Sequence, residues 1–469
     1  MVLVGSGPNG LAAAITLASA GHSVLVCEAK DSVGGGMRSA ELTLPGFVHD
    51  ICSAIHPLAI ASPFFRQLPL DQFGLEWIYP TYPLAHPLDD GSAVILFRSV
   101  DETAGNLDKA DASAYQKMMT PFIRESNFLF PDILAPLKWP QHPWLFADFA
   151  RYAVQSVSGL LRKKFSGQRA RALFAGLAAH SMLPLERRIT AGVGLVLGIA
   201  GHAYGWPFPR GSAGSIAEAL GSLAKSLGVE FRLNYRVSKM SELPVSKVVL
   251  FDLTPHQILE IAGSEFPANY RRRIKKYRYG QGVFKLDLAL AGPIPFRSAE
   301  CRQAGTVHIG GNWEEIANAE REVWQGKHPE KPFVLLAQHS LFDASRAPEG
   351  KHTAWAYCHV PTGSNRDMCE KIENQVERFA PGFRDLILAR YKMTALDFEK
   401  YNPNYVGGDI NGGVQDWRQL FTRPVWRFDP YSTPNRRLFI CSSSTPPGGG
   451  IHGMCGYHAA KSALKKVFD

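Results

Sequence analysis

The first 28 residues constrain the fold most strongly. An apolar run at residues 1–4 leads directly into the glycine-rich stretch GSGPNG at residues 5–10, and small apolar residues follow at 11–18. A second apolar stretch at residues 23–27 ends in Glu28. This order of strand, glycine turn, helix, strand and acid predicts a dinucleotide-binding βαβ unit.

Each part of this unit has a physical task. Gly5 permits a tight turn, Gly7 lets the backbone approach a pyrophosphate, and Gly10 allows the helix to pack closely on the strand. The N–H groups at the helix N-terminus attract phosphate. Glu28 can accept hydrogen bonds from both hydroxyls of a ribose and would repel a 2′-phosphate, which disfavours NADP. A chance glycine turn is the alternative, but the flanking strands, helix and acid favour a dinucleotide.

A second glycine stretch, GGGMRS at residues 34–39, follows the acid. Three glycines let a loop lie flat against a ligand, and Arg38 supplies a cation at about the distance of a pyrophosphate. A plain flexible turn is the alternative. Glycines and an arginine directly after a ribose-binding acid are typical of flavoproteins, which favours FAD.

A third glycine stretch lies near the end of the sequence. A predicted strand at 437–441 runs into PPGGGIHG at residues 446–453, and a helix is predicted for residues 454–468. The N-terminus of a helix carries partial positive charge. An isoalloxazine ring needs such a site where negative charge collects on reduction, so this loop is predicted to hold the edge of the ring.

Composition argues against several other classes of protein. The seven cysteines include no C-x-x-C pair, which argues against a disulfide framework, a redox pair or a metal site and favours a reducing, cytoplasmic location. The net charge of +9 fits an anionic membrane surface, acidic ligands or nucleic acid as partners, but dispersed surface cations are the favoured interpretation. The longest apolar run, residues 189–201, is too short to span a bilayer. The first strand starts at Met1, so no signal peptide is expected, and its shortness predicts that native residues precede it.

The middle of the sequence has a different character. Residues 121–165 are rich in aromatic residues and proline and end in three cations at 162–164. They fit a helical lid with its own aromatic core, which we favour, or an amphipathic membrane-docking region. Residues 190–205 have almost no large polar groups. Their glycines at 194, 198 and 201 fit an apolar tunnel beside a flat ring nearly as well as close helix packing.

Five motifs together resemble one family. They are GSGPNGL (5–11), GGGMRS through HDICSAIHP (34–57), YGQGVFKLD (279–287), NPNYVGGDINGG (402–413) and PPGGGIHGMCG (446–456). With them the sequence resembles the phytoene desaturase-like FAD oxidoreductases along almost its whole length. Within that family it is more similar to the pyridine nucleotide-disulfide oxidoreductase domain 2-like branch than to the carotenoid enzymes.

The resemblance implies an α/β architecture in which a Rossmann-like FAD-binding domain is interleaved with an α+β substrate domain, as in amine oxidases. The FAD-binding domain is predicted to comprise residues 1–70, 206–275 and 396–469, and the substrate domain with its helical lid residues 71–205 and 276–395. The predicted cofactor-binding residues are Gly5, Gly7, Pro8, Asn9, Gly10, Glu28, Ala29, Gly35, Gly36, Met37, Arg38, Val237, Gly450, Ile451, His452 and Gly453.

The sequence has one complete nucleotide fingerprint, so separate FAD and NAD(P) sites are not expected. We expect a desaturase, dehydrogenase or isomerase that transfers hydride from a hydrophobic, polyene or lipid-like substrate to flavin N5, with reoxidation by oxygen or a quinone. His452, inside the third glycine stretch, is the first candidate for a catalytic polar group. His56, His202 and Arg210 are weaker candidates, and a structural hydrogen-bonding role is at least as good an interpretation for each histidine.

Two alternative functions stay open. An amine-oxidase-type enzyme would need an aromatic cage, to which Trp206 and Tyr457 would contribute, and usually a buried lysine. A lipid-binding protein in the manner of Rab GDP-dissociation inhibitors would share the fold without using flavin, but the intact glycine motifs and Glu28 argue against it. No nucleic-acid partner is expected, and an extended apolar opening would favour a homodimer or a peripheral membrane contact.

Overall fold

The computed structural model describes residues 1–468, and most of its strands form two sheets. In chain order the strands are β1 (Val2–Val4), β2 (Leu25–Cys27), β3 (Ser39–Glu41), β4 (Val48–Asp50), β5 (Trp77–Ile78), β6 (Tyr82–Pro87), β7 (Ala93–Leu96), β8 (Phe208–Pro209), β9 (Glu230–Arg232), β10 (Val249–Phe251), β11 (Gly282–Leu290), β12 (Ala304–Ile309), β13 (Val334–Ala337), β14 (His352–Val360), β15 (Ile387–Met393) and β16 (Leu438–Ile440). The α-helices are α1 (Pro8–Ser19), α2 (Pro57–Ala61), α3 (Val100–Gly105), α4 (Lys109–Arg124), α5 (Ser126–Ile133), α6 (Pro143–Ala153), α7 (Val157–Lys164), α8 (Gln168–Ala179), α9 (Thr190–Ala203), α10 (Gly214–Ser226), α11 (Pro255–Ala262), α12 (Ala268–Ile274), α13 (Trp313–Trp324), α14 (Cys369–Phe379), α15 (Ala395–Tyr401), α16 (Trp417–Leu420) and α17 (Met454–Val467).

A five-stranded sheet in the order β16-β10-β1-β2-β9 follows the first glycine stretch, and its strands are all parallel. Helix α1 packs against α10 and α17 on one side of this sheet. Apolar residues of α11 and α12 share a core cluster with β1 and β10 on the other side. Helices on both faces explain why the central strands are continuous apolar runs. The predicted Rossmann-like α/β fold is therefore confirmed.

The second large sheet is mixed and has seven strands in the order β15-β11-β14-β13-β12-β6-β7. Its pairs are antiparallel except for β6 with β12, which is parallel. Helix α8 packs on β6 and β7, and α9 packs on α8 in turn. Helix α14 packs on β14, and its apolar residues belong to the second core cluster. This is the α+β arrangement that the resemblance implied.

The two sheets draw on different parts of the sequence. The parallel sheet takes its strands from residues 1–70, 206–275 and 396–469, and the mixed sheet takes its strands from residues 71–205 and 276–395. The small pair β5–β8 joins the two sets. The domain boundaries themselves stay a prediction.

Several elements are shorter than the sequence patterns predicted. Strand β2 begins at Leu25 rather than at residue 23, because its partner β1 offers only three residues for pairing. Strand β9, next in the sheet, likewise has only three residues, each paired with one residue of β2. Among the described residues, no helix combines the length and the apolar character needed to cross a membrane.

Candidate functional site

A cavity of about 930 Å³ connects the glycine stretches with the helices above the mixed sheet. This volume lies at the upper end of the roughly 300–1,000 Å³ usual for ligand pockets. Most of the predicted cofactor-binding residues line it, and these are Gly5, Gly7, Pro8, Asn9, Glu28, Ala29, Gly35, Gly36, Arg38, Val237, Gly450, Ile451 and His452. Three others, Gly10, Met37 and Gly453, lie behind this lining.

The first two glycine stretches fold back on each other. Gly5 has a φ of +97°, a conformation that suits glycine, and makes the tight turn after β1. A Cβ on Gly10 would lie 2.3 Å from the carbonyl oxygen of Gly5, and one on Gly35 would lie 2.8 Å from Cα of Gly7. Close backbone packing therefore requires glycine at positions 10 and 35.

Glu28 is held in place by the loop that precedes α1. Its carboxylate accepts hydrogen bonds from the backbone N–H and the hydroxyl of Ser6 and from the N–H of Lys30. The guanidinium of Arg38 lies 3.1 Å from Oε1 of Glu28, the oxygen that also accepts the N–H of Lys30. Arg38 thus pairs with the predicted ribose-binding acid and also lines the cavity, and its expected place near a pyrophosphate stays a prediction.

Asp252 is a cavity residue that the sequence analysis missed. It directly follows β10, and its carboxylate accepts the N–H of Gly10 at the N-terminus of α1 (3.0 Å). Burial, with the nearby charge of Glu28, raises the pKa of Asp252 to about 7, although the N–H of Gly10 opposes this shift. A Cβ on Gly7 would lie 2.6 Å from this carboxylate. The signal in the sequence was an acid at the carboxyl end of a buried strand.

The third glycine stretch positions His452 at the start of α17. The N–H of Met454 donates to Nδ1 of His452 (3.0 Å), so the neutral ring carries its proton on Nε2. Burial lowers the pKa of His452 to about 4. The imidazole of His452 therefore accepts one of the N–H groups at the N-terminus of α17. The sequence had predicted that these N–H groups are free to contact a ligand.

The structure separates the other catalytic candidates. His56 lines the cavity, and burial lowers its pKa to about 3. His202 is buried outside the lining and meets the hydroxyl of Tyr115 at 2.8 Å. Arg210 is exposed and pairs with Glu76. Catalytic roles for these three residues and for His452 stay predictions, and of the four side chains those of His56 and His452 face the cavity.

The half of the cavity farther from the first glycine stretch is formed largely by α6 and α9. Val193 and Val196 are the half-buried side chains on an otherwise buried stretch of α9, and both line the cavity. The glycines of α9 serve a different purpose. A Cβ on Gly194 would lie 3.0 Å from Phe174, one on Gly198 3.0 Å from Met119, and one on Gly201 2.8 Å from Leu96. These glycines allow close packing, while the valines of the same helix form the apolar wall.

Aromatic side chains face the same space from the mixed sheet. Trp355 and Tyr357 on β14 line the cavity, and the centroids of these two rings lie 5.2 Å apart. Trp206 lines the cavity as well. Tyr457, proposed from the sequence as a cage residue, instead packs against Phe64 outside the lining. Trp355 and Tyr357 are two residues apart on β14, so they lie on the same face of the strand. The sequence did not show that this face lines the cavity.

Lys285 on β11 is a lysine buried beside the cavity wall. It forms an ion pair with the buried carboxylate of Asp287, and its Nζ lies 5.9 Å from the ring centroid of Trp355. Burial raises the pKa of Asp287 to about 6, although Lys285 counteracts the rise. Lys285 itself is behind the lining.

Comparison with known proteins agrees with this geometry. The family model of the NAD(P)-binding Rossmann-like domain matches residues 3–68. The mouse (Mus musculus) pyridine nucleotide-disulfide oxidoreductase domain-containing protein 2 is 25% identical, over 99% of this chain and 93% of its own. The phytoene desaturase (lycopene-forming) of Pantoea ananas is 24% identical over 98% of both chains. These matches confirm the resemblance to phytoene desaturase-like oxidoreductases.

Solved structures show the same fold over the whole chain. An oxidoreductase from Methanosarcina mazei superposes with a TM-score of 0.67 at 15% identity and covers 99% of both chains. Putrescine oxidase bound to putrescine gives a TM-score of 0.62 at 17% identity, covering 99% of this chain and 98% of that one. At these identities the likeness concerns the fold, and the amine-oxidase-type architecture is confirmed.

Proposed function

We propose that the protein is an FAD-dependent oxidoreductase that oxidises or isomerises a hydrophobic, polyene- or lipid-like substrate. The relatives named as phytoene desaturases and the fold support the reaction class. The chemistry of the cavity lining supports the choice of substrate. The electron acceptor, oxygen or a quinone, is part of the proposal.

The residues of the glycine stretches fit FAD. Glycines at positions 5, 7 and 35 leave backbone rather than side chain along one wall, as a pyrophosphate requires. Glu28 is oriented for ribose hydroxyls by Ser6 and Lys30. Val237 lines the same end of the cavity and would contact adenine, and residues 449–452 would contact the ring.

The absence of charge in the far half of the cavity carries the substrate assignment. Between α6, α9 and β14 the lining residues are Phe146, Phe149, Ala150, Ala153, Val154, His180, Met182, Ile189, Gly192, Val193, Val196, Leu197, Trp206, Leu335, Trp355 and Tyr357. The charged lining residues Asp132 and Lys138 precede α6, at the end of α5 and on the loop between the two helices. His180 is the one histidine among the lining residues between α6, α9 and β14, and it is neutral because burial lowers its pKa to about 3. An ionic substrate would lose its hydration there without gaining a partner.

A bound FAD would supply the hydride acceptor. The chain's own contribution is to bind, to orient and to exclude water. Val193 and Val196 hold an apolar chain against the aromatic pair on β14, while His452 and His56 present neutral imidazoles. None of these groups is a strong base at neutral pH, so the geometry favours placement over general base catalysis.

Flavin content and flavin bleaching test the proposal. We expect yellow protein that releases FAD on denaturation, and bleaching of the flavin under anaerobic conditions by polyenes or long-chain lipids. Protein that cannot take up FAD would contradict both enzyme proposals and favour a lipid-binding function. Bleaching by amines alone would contradict the substrate class.

Narrowing the apolar half should block the substrate and spare the cofactor. In Val196→Trp an indole would project from α9 into the cavity. We expect substrate-driven bleaching to slow at least about tenfold, the equivalent of about 1.4 kcal/mol in the barrier. FAD content should not change, because the glycine stretches line the other end of the cavity.

Val245→Trp is the matched control, because it adds the same side chain at a fully exposed valine outside the cavity. It should bleach at the wild-type rate. Equal rates in the wild-type protein and Val196→Trp would show that the substrate does not occupy the space beside α9.

Asp252 should make FAD binding depend on pH. Its pKa of about 7 means that the carboxyl is neutral below pH 7, and a pyrophosphate beside α1 favours that neutral form. Affinity should therefore be highest below pH 7 and fall by up to about tenfold per pH unit above it. Titration of the apoprotein with FAD by fluorescence between pH 5.5 and 8.5 measures this slope.

Asp252→Asn should remove the slope and tighten binding at pH 8, since the amide oxygen can still accept the N–H of Gly10. Asp90→Asn, at an exposed acid outside the cavity, should keep the wild-type profile. An unchanged slope in Asp252→Asn would exclude this carboxyl as its origin.

An amine-oxidase-type activity is the second candidate. The observation that favours it is the buried Lys285 beside Trp355, with Trp206 and Tyr357 in the same wall. The ion pair of Lys285 with Asp287 and the uncharged lining favour the first proposal. Anaerobic bleaching with a panel of amines and a panel of lipids separates the two.

A further inference from the structure

Two groups of exposed apolar side chains lie at the cavity mouth. The first is on the loop between α5 and α6 and on α6, where Trp139 and Trp144 are 83% and 88% exposed and Leu137 is 65% exposed. The second is on and after α16, where Trp417 and Phe421 are exposed. Leu137, Trp417 and Phe421 also line the cavity. We call these five residues the aromatic rim.

The loop that carries Trp139 is held in a defined shape. The carboxylate of Asp132 at the end of α5 accepts the N–H groups of Gln141 and His142. Pro143 then begins α6, which fixes the backbone at the first turn. The indoles of the rim therefore project from an ordered support, so their exposure is built into the fold.

The charges beside the rim are positive. Lys138 and Arg418 are exposed, and each directly adjoins rim residues in the sequence. The nearest acids in the sequence already have partners: Asp132 accepts the N–H groups of Gln141 and His142, Asp148 pairs with Arg151, and Asp416 pairs with Arg278. Indoles with flanking cations are the combination found at the interface between water and an anionic bilayer.

We propose that the aromatic rim is a docking surface for an anionic lipid bilayer, from which an apolar substrate enters the cavity directly. Entry of the substrate from the bilayer rests on the function proposed above, whereas the docking surface rests on the aromatic rim alone. A second copy of the chain is a worse occupant, because a partner seated on the rim would close the mouth that the rim surrounds.

Docking at the rim would also let an apolar substrate reach the cavity without passing through water. A long apolar substrate is held in a membrane by the hydrophobic effect, which grows with every CH₂ group, so its transfer to water is slow and unfavourable. A mouth set against the bilayer lets the chain pass from lipid into the apolar half of the cavity. The wall of α9 then continues the same apolar environment inward.

Vesicle binding by the whole chain, without substrate, tests the docking surface. The probes are vesicles of phosphatidylcholine alone and with phosphatidylglycerol, and the variants are Trp139→Ser/Trp144→Ser and a control, Val245→Ser/Leu388→Ser. The control removes two exposed apolar side chains elsewhere on the surface. We expect the wild-type protein and the control to sediment with anionic vesicles, and the double tryptophan variant to bind at least about fivefold less. Salt should weaken binding.

Three results would overturn the docking surface. The first is no sedimentation of the wild-type protein with anionic vesicles, and the second is equal binding by the double tryptophan variant. The third is a wild-type dimer that dissociates in this variant, measured by light scattering, with no vesicle binding. Vesicle binding together with no bleaching by any apolar substrate would leave the surface standing and contradict the proposed function instead.

Discussion

Replacing Gly456 with alanine is expected to prevent stable folding of the native state. A Cβ at this position would lie 1.8 Å from the carbonyl oxygen of Asn9 and 3.0 Å from the backbone nitrogen of Ala13. Both atoms belong to the backbone of α1, so no side-chain rotation relieves the contact. Alanine gains about 1 kcal/mol in helix propensity over glycine, but separating α1 from α17 costs more than the roughly 1–3 kcal/mol of ordinary overpacking. Thermal and urea unfolding followed by circular dichroism measure the loss.

Gly105→Ala is the control for this prediction. Gly105 is the last residue of α3, and no heavy atom lies within 4 Å of the Cβ that alanine would add. Its stability should equal or slightly exceed that of the wild-type protein. A Gly456→Ala protein that unfolds at the wild-type midpoint would show that α1 and α17 are less tightly packed than the structure indicates.

The sequence could indicate the local parts of the candidate site because each of them is a contiguous pattern, and most of their residues line one cavity. The glycine turn at residues 5–10, the acid at Glu28 and the loop at 446–453 specify backbone shapes that depend on their own residues. Gly456 was recognised only as part of a motif. Its contact with Asn9 joins positions far apart in the chain, and no local pattern contains that information.

The parts that could not be predicted are contacts between distant segments. Asp252 follows an ordinary buried strand, and its role appears only when β10 pairs with β1 and brings it to Gly10. The glycines of α9 were ambiguous because both interpretations require small residues on a helix. The structure distinguishes the two interpretations, because the glycines of α9 pack against neighbouring side chains, while the valines lie on another face of the helix and line the cavity.

Replacing Arg346 with methionine should produce the second large effect, a loss of about 3–5 kcal/mol in the free energy of unfolding at pH 7. The buried guanidinium donates to Asp50 (2.9 Å), to Asp343 (3.3 Å) and to the carbonyl oxygen of Pro209 (3.0 Å). These residues come from three separate segments, β4, β8 and the stretch between β13 and β14. Without Arg346 two buried carboxylates lose their counter-charge. Urea unfolding at pH 7 measures the change.

The pH dependence of this loss identifies its cause. Burial by itself would raise the pKa of Asp50, but Arg346 holds the pKa below its usual value, so the wild-type protein keeps this stabilisation above about pH 4 and loses it at lower pH. In Arg346→Met the pKa of Asp50 should rise, and the deficit should be largest at pH 7 and shrink towards pH 4. Asp50→Asn/Arg346→Met should recover part of the loss at pH 7, because it leaves no charge at position 50. A deficit that is the same at both pH values would indicate lost packing of the long side chain rather than an unpaired carboxylate.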